Sequence, residues 1–185
     1  MKKIFLTITL LTLCISCKKE DPQTETVTQE TEVTQNGGTN ESAFKPEALS
    51  QKLMAISGEN ITFEEALNIY KGKPILIDVW ASWCPDCIKG MPKVHKLQQE
   101  YELVYMFLSY DKTERDWRLG IDKYKTIGEN FLIQSDWKTG EFRKTIDLDW
   151  IPRYILVDKT GKIAHYRAIE ADDPELIAKI KELTK

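Results

Sequence analysis

A chain of 185 residues, 42% hydrophobic and 30% charged, suits one globular domain with tails. A folded part of roughly 140 residues buries its apolar surface without disulfide or metal staples. The formal charge of −3 comes with no clustered basic excess and gives no support to a nucleic-acid partner. Four cysteines in two close pairs, Cys14 with Cys17 and Cys84 with Cys87, argue against a disulfide scaffold, which scatters cysteines to close long loops.

The first cysteine pair belongs to targeting. Lys2 and Lys3 open the chain, and Ile4 to Ile15 is a mostly apolar run, shorter than the ~20 residues a spanning helix needs. Residues 1–16 read as a signal peptide. Ser16-Cys17 then resembles a bacterial lipobox, with Cys14 standing where Leu is usual, which makes Cys17 the expected lipidated residue. The alternative is an ordinary secretory leader. Residues 17–43, rich in Thr, Glu, Gln, Asn and Gly, read as a flexible tether. Lys18, not an aspartate, follows the lipid site, which points to the outer membrane facing the periplasm; the Lys18-Lys19-Glu20-Asp21 tract also resembles cell-surface export signals.

Residues 44–185 read as the folded domain. Apolar residues at 63, 66, 67 and 70 form one face of a helix, and Gly72-Lys73-Pro74 turns the chain. Ile75-Leu76-Ile77-Asp78-Val79-Trp80 reads as a buried central strand. A helix to about Glu100 is followed by a buried strand over 103–109, a charged helix over 113–124 and a short strand over 130–133. The spacing then predicts a helix over 138–145. Strands over 153–158 and 162–167 are joined by Lys159-Thr160-Gly161, a hairpin turn. Pro174 opens a closing helix with Leu176, Ile177, Ile180 and Leu183 on one face. This order defines an α/β layered domain.

Trp83-Cys84-Pro85-Asp86-Cys87 sits where the buried strand gives way to a helix. Three-residue spacing at a helix start puts both sulfurs on one face, within reach of a disulfide. Cys84 lies at the helix N-terminus, where unpaired N–H groups and the macrodipole favour its thiolate, the attacking species. Cys87, one turn in, is shielded and placed to resolve a mixed disulfide. Half a zinc site is the competing reading, but zinc wants four ligands, and His95 and His165 lie in no second cluster. Asp78 interrupts the most apolar strand, so burial should raise its pKa.

The segment Asp78 to Cys87, with Pro92 five residues past Cys87 and the Ile151-Pro152 step before a strand, resembles the thioredoxin superfamily over about residues 63–185. The stretch holding Tyr110-Asp111 and Trp117 resembles its TlpA/ResA-like branch, whose members are exported and membrane-tethered. The resemblance implies a thioredoxin-like fold: a central mixed β-sheet flanked by helices, with an inserted helix and strand before Ile151-Pro152. It further implies Cys84 as nucleophile, Cys87 as resolving cysteine and Asp78 as the proton-transfer group. Trp83, Pro85, Asp86, Ile151 and a cis Pro152 would meet the substrate, with no cofactor beyond the Cys84–Cys87 pair. Trp80 and Trp117 read as core, and no role falls to either histidine.

Direction is a separate matter. A carboxylate at Asp86 opposes a second negative charge on Cys84, raises the thiol pKa relative to a histidine there, and leans toward a reductase. Reductases of this branch act on protein disulfides and draw electrons from a membrane thiol carrier. An oxidase or isomerase of folding proteins is the alternative on the same fold. A copper carrier is the third reading, disfavoured by the C-x-x-C spacing with no histidine beside it.

Overall fold

The structure is a computed structural model that describes residues 42–185. The expectations for the signal peptide, for lipidation of Cys17 and for nearly all of the tether fall on residues 1–41 and lie outside the described residues.

Two features come before the first predicted helix. A short helix α1 (Pro46–Leu49) leads into a hairpin of β1 (Lys52–Ala55) and β2 (Asn60–Thr62). The hairpin turn is legible in Ser57-Gly58-Glu59, where Gly58 has φ +88°, a conformation other residues adopt only with strain. Next is α2 (Phe63–Ile69), whose start carries a capping box: the Thr62 hydroxyl accepts from the Glu65 amide and the Glu65 carboxylate accepts from the Thr62 amide.

β3 (Ile75–Trp80) is buried at all six positions because it lies in the middle of the sheet. It pairs in parallel with β4 (Val104–Ser109) and antiparallel with β6 (Arg153–Val157). Between β3 and β4 runs α3 (Pro85–Glu100), which presents Cys87, Met91, Val94 and Leu97 to the core. Pro85 at its start has no amide to leave unpaired, whereas Pro92 removes an intrahelical donor from its middle.

The insertion is α4 (Glu114–Tyr124) followed by β5 (Glu129–Ile133), which runs parallel to β4 and places the strand between β4 and β1. The helix expected over 138–145 is shorter: α5 spans Glu141–Thr145. The Asp136 carboxylate takes the amides of Lys138 and Thr139 at 2.9 Å each, closing a turn that the helix cannot enter. β7 (Ile163–Ala168) pairs with β6 across a turn in which the Asp158 carboxylate accepts from the amides of Thr160 and Lys162, and α6 (Pro174–Leu183) closes the fold.

The sheet order is β2-β1-β5-β4-β3-β6-β7, a mixed seven-stranded sheet flanked by helices. This is the thioredoxin-like α/β fold. Its core includes Trp80, Trp117, Phe107 and Tyr154, all essentially inaccessible. Among the described residues, no helix is long and apolar enough to cross a membrane.

Candidate active site

The C-terminal end of β3 delivers the chain into a short loop, Ala81–Trp83, and then into the first turn of α3. The loop is tied from below by Asp111, a buried residue just past β4. Its carboxylate accepts from the Ser82 amide at 3.2 Å, the Ser82 hydroxyl at 2.6 Å and the Ser109 hydroxyl at 2.8 Å. From the side it is pressed by α4, where a Cβ on Gly120 would lie 2.7 Å from the Ser82 Cβ and 3.2 Å from Trp80. Sequence reasoning gave neither residue a role; Asp111 entered only as part of a family-like stretch.

Cys84 is the N-cap of α3, and its sulfur accepts from the Cys87 amide at 3.3 Å. Both cysteines are free thiols, so the structure describes the dithiol form. The Cys84 thiol donates to the Ile151 carbonyl at 3.5 Å, and the Ile151–Pro152 peptide is cis. The expected residues from two distant parts of the chain therefore meet at one sulfur. Hydrogen bonding from the Cys87 side chain brings the Cys84 thiol down to about 7; burial opposes this, the amides of Cys87 and Asp86 add to it, and the Asp86 carboxylate opposes it weakly. The expected effect of Asp86 has the right sign, but it is the smallest of these.

Cys87 is fully buried one turn deeper. Burial pushes its thiol far up, and the bond to Cys84 and the charges of Asp78 and Cys84 push the same way. Asp78 is 3% exposed, and neither of its carboxyl oxygens has a hydrogen-bond partner. Its pKa is raised well above the ordinary carboxylate value, by burial first and then by the charge at Cys84. A nucleophile that ionises near neutrality, backed by a thiol that holds its proton and a carboxyl with a raised pKa, is a constellation for two successive thiol–disulfide exchanges.

Around this centre the surface is aromatic and partly open. Trp83 is 48% exposed, donates from its indole N–H to the Tyr110 carbonyl at 3.3 Å, and meets the Trp137 ring edge-on at 6.3 Å. Tyr110 packs on the same Trp137 at 5.0 Å, and an open cleft runs from Trp83 past these rings toward β5. Pro85 and Asp86 are exposed on the first turn of α3, and Pro152 is buried. Trp150, just before Ile151, is 61% exposed. The segment carrying it is anchored by Asp149, whose two carboxyl oxygens receive the guanidinium groups of Arg153 and Arg167. Arg153 itself is completely buried beside Val79 and lies over the Tyr166 ring at 5.7 Å, a burial that an arginine in sequence does not announce.

A nucleophilic thiol capping a helix, opposite a cis-proline and over a buried aspartate, defines the class: a thioredoxin-superfamily thiol–disulfide oxidoreductase. The Redoxin family matches residues 53–182, well over half of the chain, and the protein belongs to that family. Thioredoxin-like protein YneN of Bacillus subtilis is 36% identical over 119 residues, which is 63% of this chain and 55% of that protein. The chain thus matches little more than half of that relative. Thiol-disulfide oxidoreductase ResA of Bacillus thuringiensis is 29% identical over 120 residues, 64% of this chain and 68% of that protein. The thioredoxin domain of a thiol-disulfide oxidoreductase from Bacteroides vulgatus superposes with a TM-score of 0.62 over 80% of this chain and all of that domain. At 22% identity this is a likeness of fold.

Proposed function

We propose that this protein is an exported, membrane-anchored reductase of protein disulfides, with Cys84 as nucleophile, Cys87 as resolving cysteine and Asp78 as the group that exchanges a proton with Cys87. The observation that carries the reading is the Cys84 thiol, held near pH 7 at the start of α3. That is the thiol acidity of thioredoxin, ~7, and far from the ~3.5 of the strong oxidant DsbA.

In the first exchange the Cys84 thiolate attacks one sulfur of a substrate disulfide. The substrate S–S bond breaks, a mixed disulfide forms, and the departing substrate thiolate takes a proton from solvent. In the second, Cys87 gives its proton to the Asp78 carboxylate and attacks the Cys84 sulfur. The bond from Cys84 to the substrate breaks, the Cys84–Cys87 disulfide forms, and the second substrate thiol is released with the proton that Asp78 returns. Two electrons pass from the protein to the substrate disulfide; one proton comes from Cys87 by way of Asp78, the other from the solvent that took up the Cys84 proton, and no cofactor is needed. A membrane thiol carrier would restore the dithiol.

The substrate would lie across Trp83, Pro85, Asp86 and the Ile151–Pro152 step as an extended protein segment, with the aromatic cleft beside Trp83 taking neighbouring side chains. Lipidation at Cys17 and a position on the outer membrane facing the periplasm complete the reading. Incorporation of labelled palmitate, lost in Cys17→Ala, tests the anchor.

The deciding measurement is the equilibrium reduction potential of the Cys84–Cys87 pair. A value near thioredoxin's ~−270 mV is expected; one near the ~−120 mV of DsbA would make the protein an oxidant of folding proteins.

A further inference from the structure

We propose that Tyr154 is a positioning residue for the resolving step: its hydroxyl donates to the ionised Asp78 carboxylate and thereby sets the pH at which Asp78 can take the proton of Cys87. The proposal rests on the proton-exchange role given to Asp78 above.

Tyr154 on β6 is the direct antiparallel partner of Asp78 on β3, so both side chains leave the sheet on the same face. That face is covered by α3. A Cβ on Gly90, three residues past Cys87, would lie 2.7 Å from the Tyr154 hydroxyl, so the phenol ends directly beneath the helix that carries both cysteines. Tyr154 is wholly buried, and its hydroxyl has no hydrogen-bond partner among the described residues; neither has either carboxyl oxygen of Asp78. Leaving a hydroxyl unpaired in a core costs about 1–3 kcal/mol, and phenylalanine would fill the same space without that cost. Three unpaired polar atoms on one registered cross-strand pair are therefore a feature that packing alone does not require.

The groups that act on the hydroxyl come from three elements. Asp78 faces it from β3, Cys87 and Cys84 from α3, and Glu170 from the segment after β7, where Lys93 of α3 holds the Glu170 carboxylate at 2.5 Å. Burial first, and then the charges of these four acids, keep the phenol protonated. Tyr154 therefore retains its own proton throughout and offers it as a hydrogen bond. In the structure the hydroxyl and the carboxyl are not hydrogen-bonded to each other. The bond forms when the carboxylate is charged and waiting for the Cys87 proton, the state that most needs a donor.

The test uses the full-length protein with the Cys84–Cys87 disulfide closed, so that neither thiol titrates. Carboxyl-carbon NMR follows Asp78 against pH in the wild type and in Tyr154→Phe. Loss of the donor should move the Asp78 midpoint upward by about one pH unit, the worth of a hydrogen bond to a charged group. The melting temperature should stay level or rise. Gly90→Ala, which presses the hydroxyl aside from the helix, should move the midpoint the same way, and should add nothing in a Tyr154→Phe background. In kinetics, the pH midpoint for release of a model mixed disulfide should rise in Tyr154→Phe and be unaffected by it when Asp78→Asn is already present. Superimposable titration curves, or an equal kinetic shift in the Asp78→Asn background, would overturn the proposal. Should the wild type fail to reduce a model disulfide at all, the reductase reading fails, while the Asp78 titration still decides the role of Tyr154.

Discussion

At the scale of single residues, the site works by separating the proton affinities of two chemically identical thiols. Cys84 caps a helix and accepts from an amide; Cys87 sits three residues on with burial and a carboxyl behind it. Alkylation of the dithiol protein should therefore go to Cys84 alone, with a rate that rises to a plateau around a midpoint near pH 7 and falls about tenfold for each unit below it. Cys87→Ser, whose hydroxyl can replace the thiol as donor to the Cys84 sulfur, should keep the midpoint well below the ordinary thiol value and accumulate mixed disulfides with substrate, visible as adducts on a non-reducing gel; Cys84→Ser should form none. Asp78 has the opposite linkage. Its pKa is higher in the folded protein than in the unfolded chain, so its contribution to stability is complete below the unfolded value of ~3.9 and is lost as pH rises through the folded value. Asp78→Asn should then be more stable than the wild type at neutral and alkaline pH, with an advantage growing by about 1.4 kcal/mol per pH unit until Asp78 is fully ionised. The same variant should resolve mixed disulfides more slowly. Urea unfolding at pH 5 and pH 9 checks the sign, and an advantage that does not grow with pH would mean that the carboxyl is not desolvated.

At the scale of elements, what sequence could reveal was whatever a single segment encodes by itself. The near-continuous apolar run of β3, the Pro-led α3 and α6 and the Lys159-Thr160-Gly161 turn each carry their own signal, and each is found in place. The β1–β2 hairpin is not legible in the sequence because its strands are four and three residues long and only Leu53 is fully buried, which leaves no periodicity to read. The helix expected over 138–145 starts only at Glu141 because the Asp136 carboxylate holds the amides of Lys138 and Thr139 in a turn, and in sequence that aspartate looks like any surface acid. In the site, Cys84, Cys87, Asp78 and the Ile151-Pro152 step were legible from spacing and resemblance. Tyr154, Asp111 and Arg153 were not, since their meaning lies in a cross-strand partner, a loop amide and the burial of a guanidinium that reaches an exposed carboxylate, none of which a local pattern specifies. Gly120 belongs with them. It lets α4 lie against Ser82, and Ser82 cannot retreat because Asp111 grips its amide and hydroxyl. Gly120→Ala is expected to cost about 1–3 kcal/mol by overpacking. By shifting the loop two residues before Cys84, it should also raise the thiol midpoint from about 7 toward the ordinary thiol value. Thermal melts and alkylation profiles read the two effects separately; lost stability with an unmoved midpoint would show that α4 supports the fold and not the thiol.

At the scale of the whole molecule, the pair is a two-electron carrier with shifted titratable groups beside it, Asp78 on β3 and Cys84 at the start of α3. In a two-electron couple each proton taken up on reduction lowers the potential by ~30 mV per pH unit. Below pH 7 both sulfurs are protonated when the disulfide opens, so the potential should fall by ~60 mV per unit. Above it Cys84 stays a thiolate, which by itself reduces the slope to ~30 mV. Asp78 alters this, because the thiolate that raises its proton affinity exists only in the reduced protein. Reduction therefore draws extra proton onto the carboxyl wherever Asp78 titrates, and the alkaline slope of the wild type should lie between ~30 and ~60 mV. In Asp78→Asn that uptake is gone and the slope should settle at ~30 mV above pH 7, with the break near 7 retained. Potentials measured from pH 5 to 9 against dithiothreitol, read by tryptophan fluorescence, distinguish the cases. Identical alkaline slopes in the two proteins would mean that Cys84 and Asp78 titrate independently, and that opening the disulfide draws no extra proton onto the carboxyl.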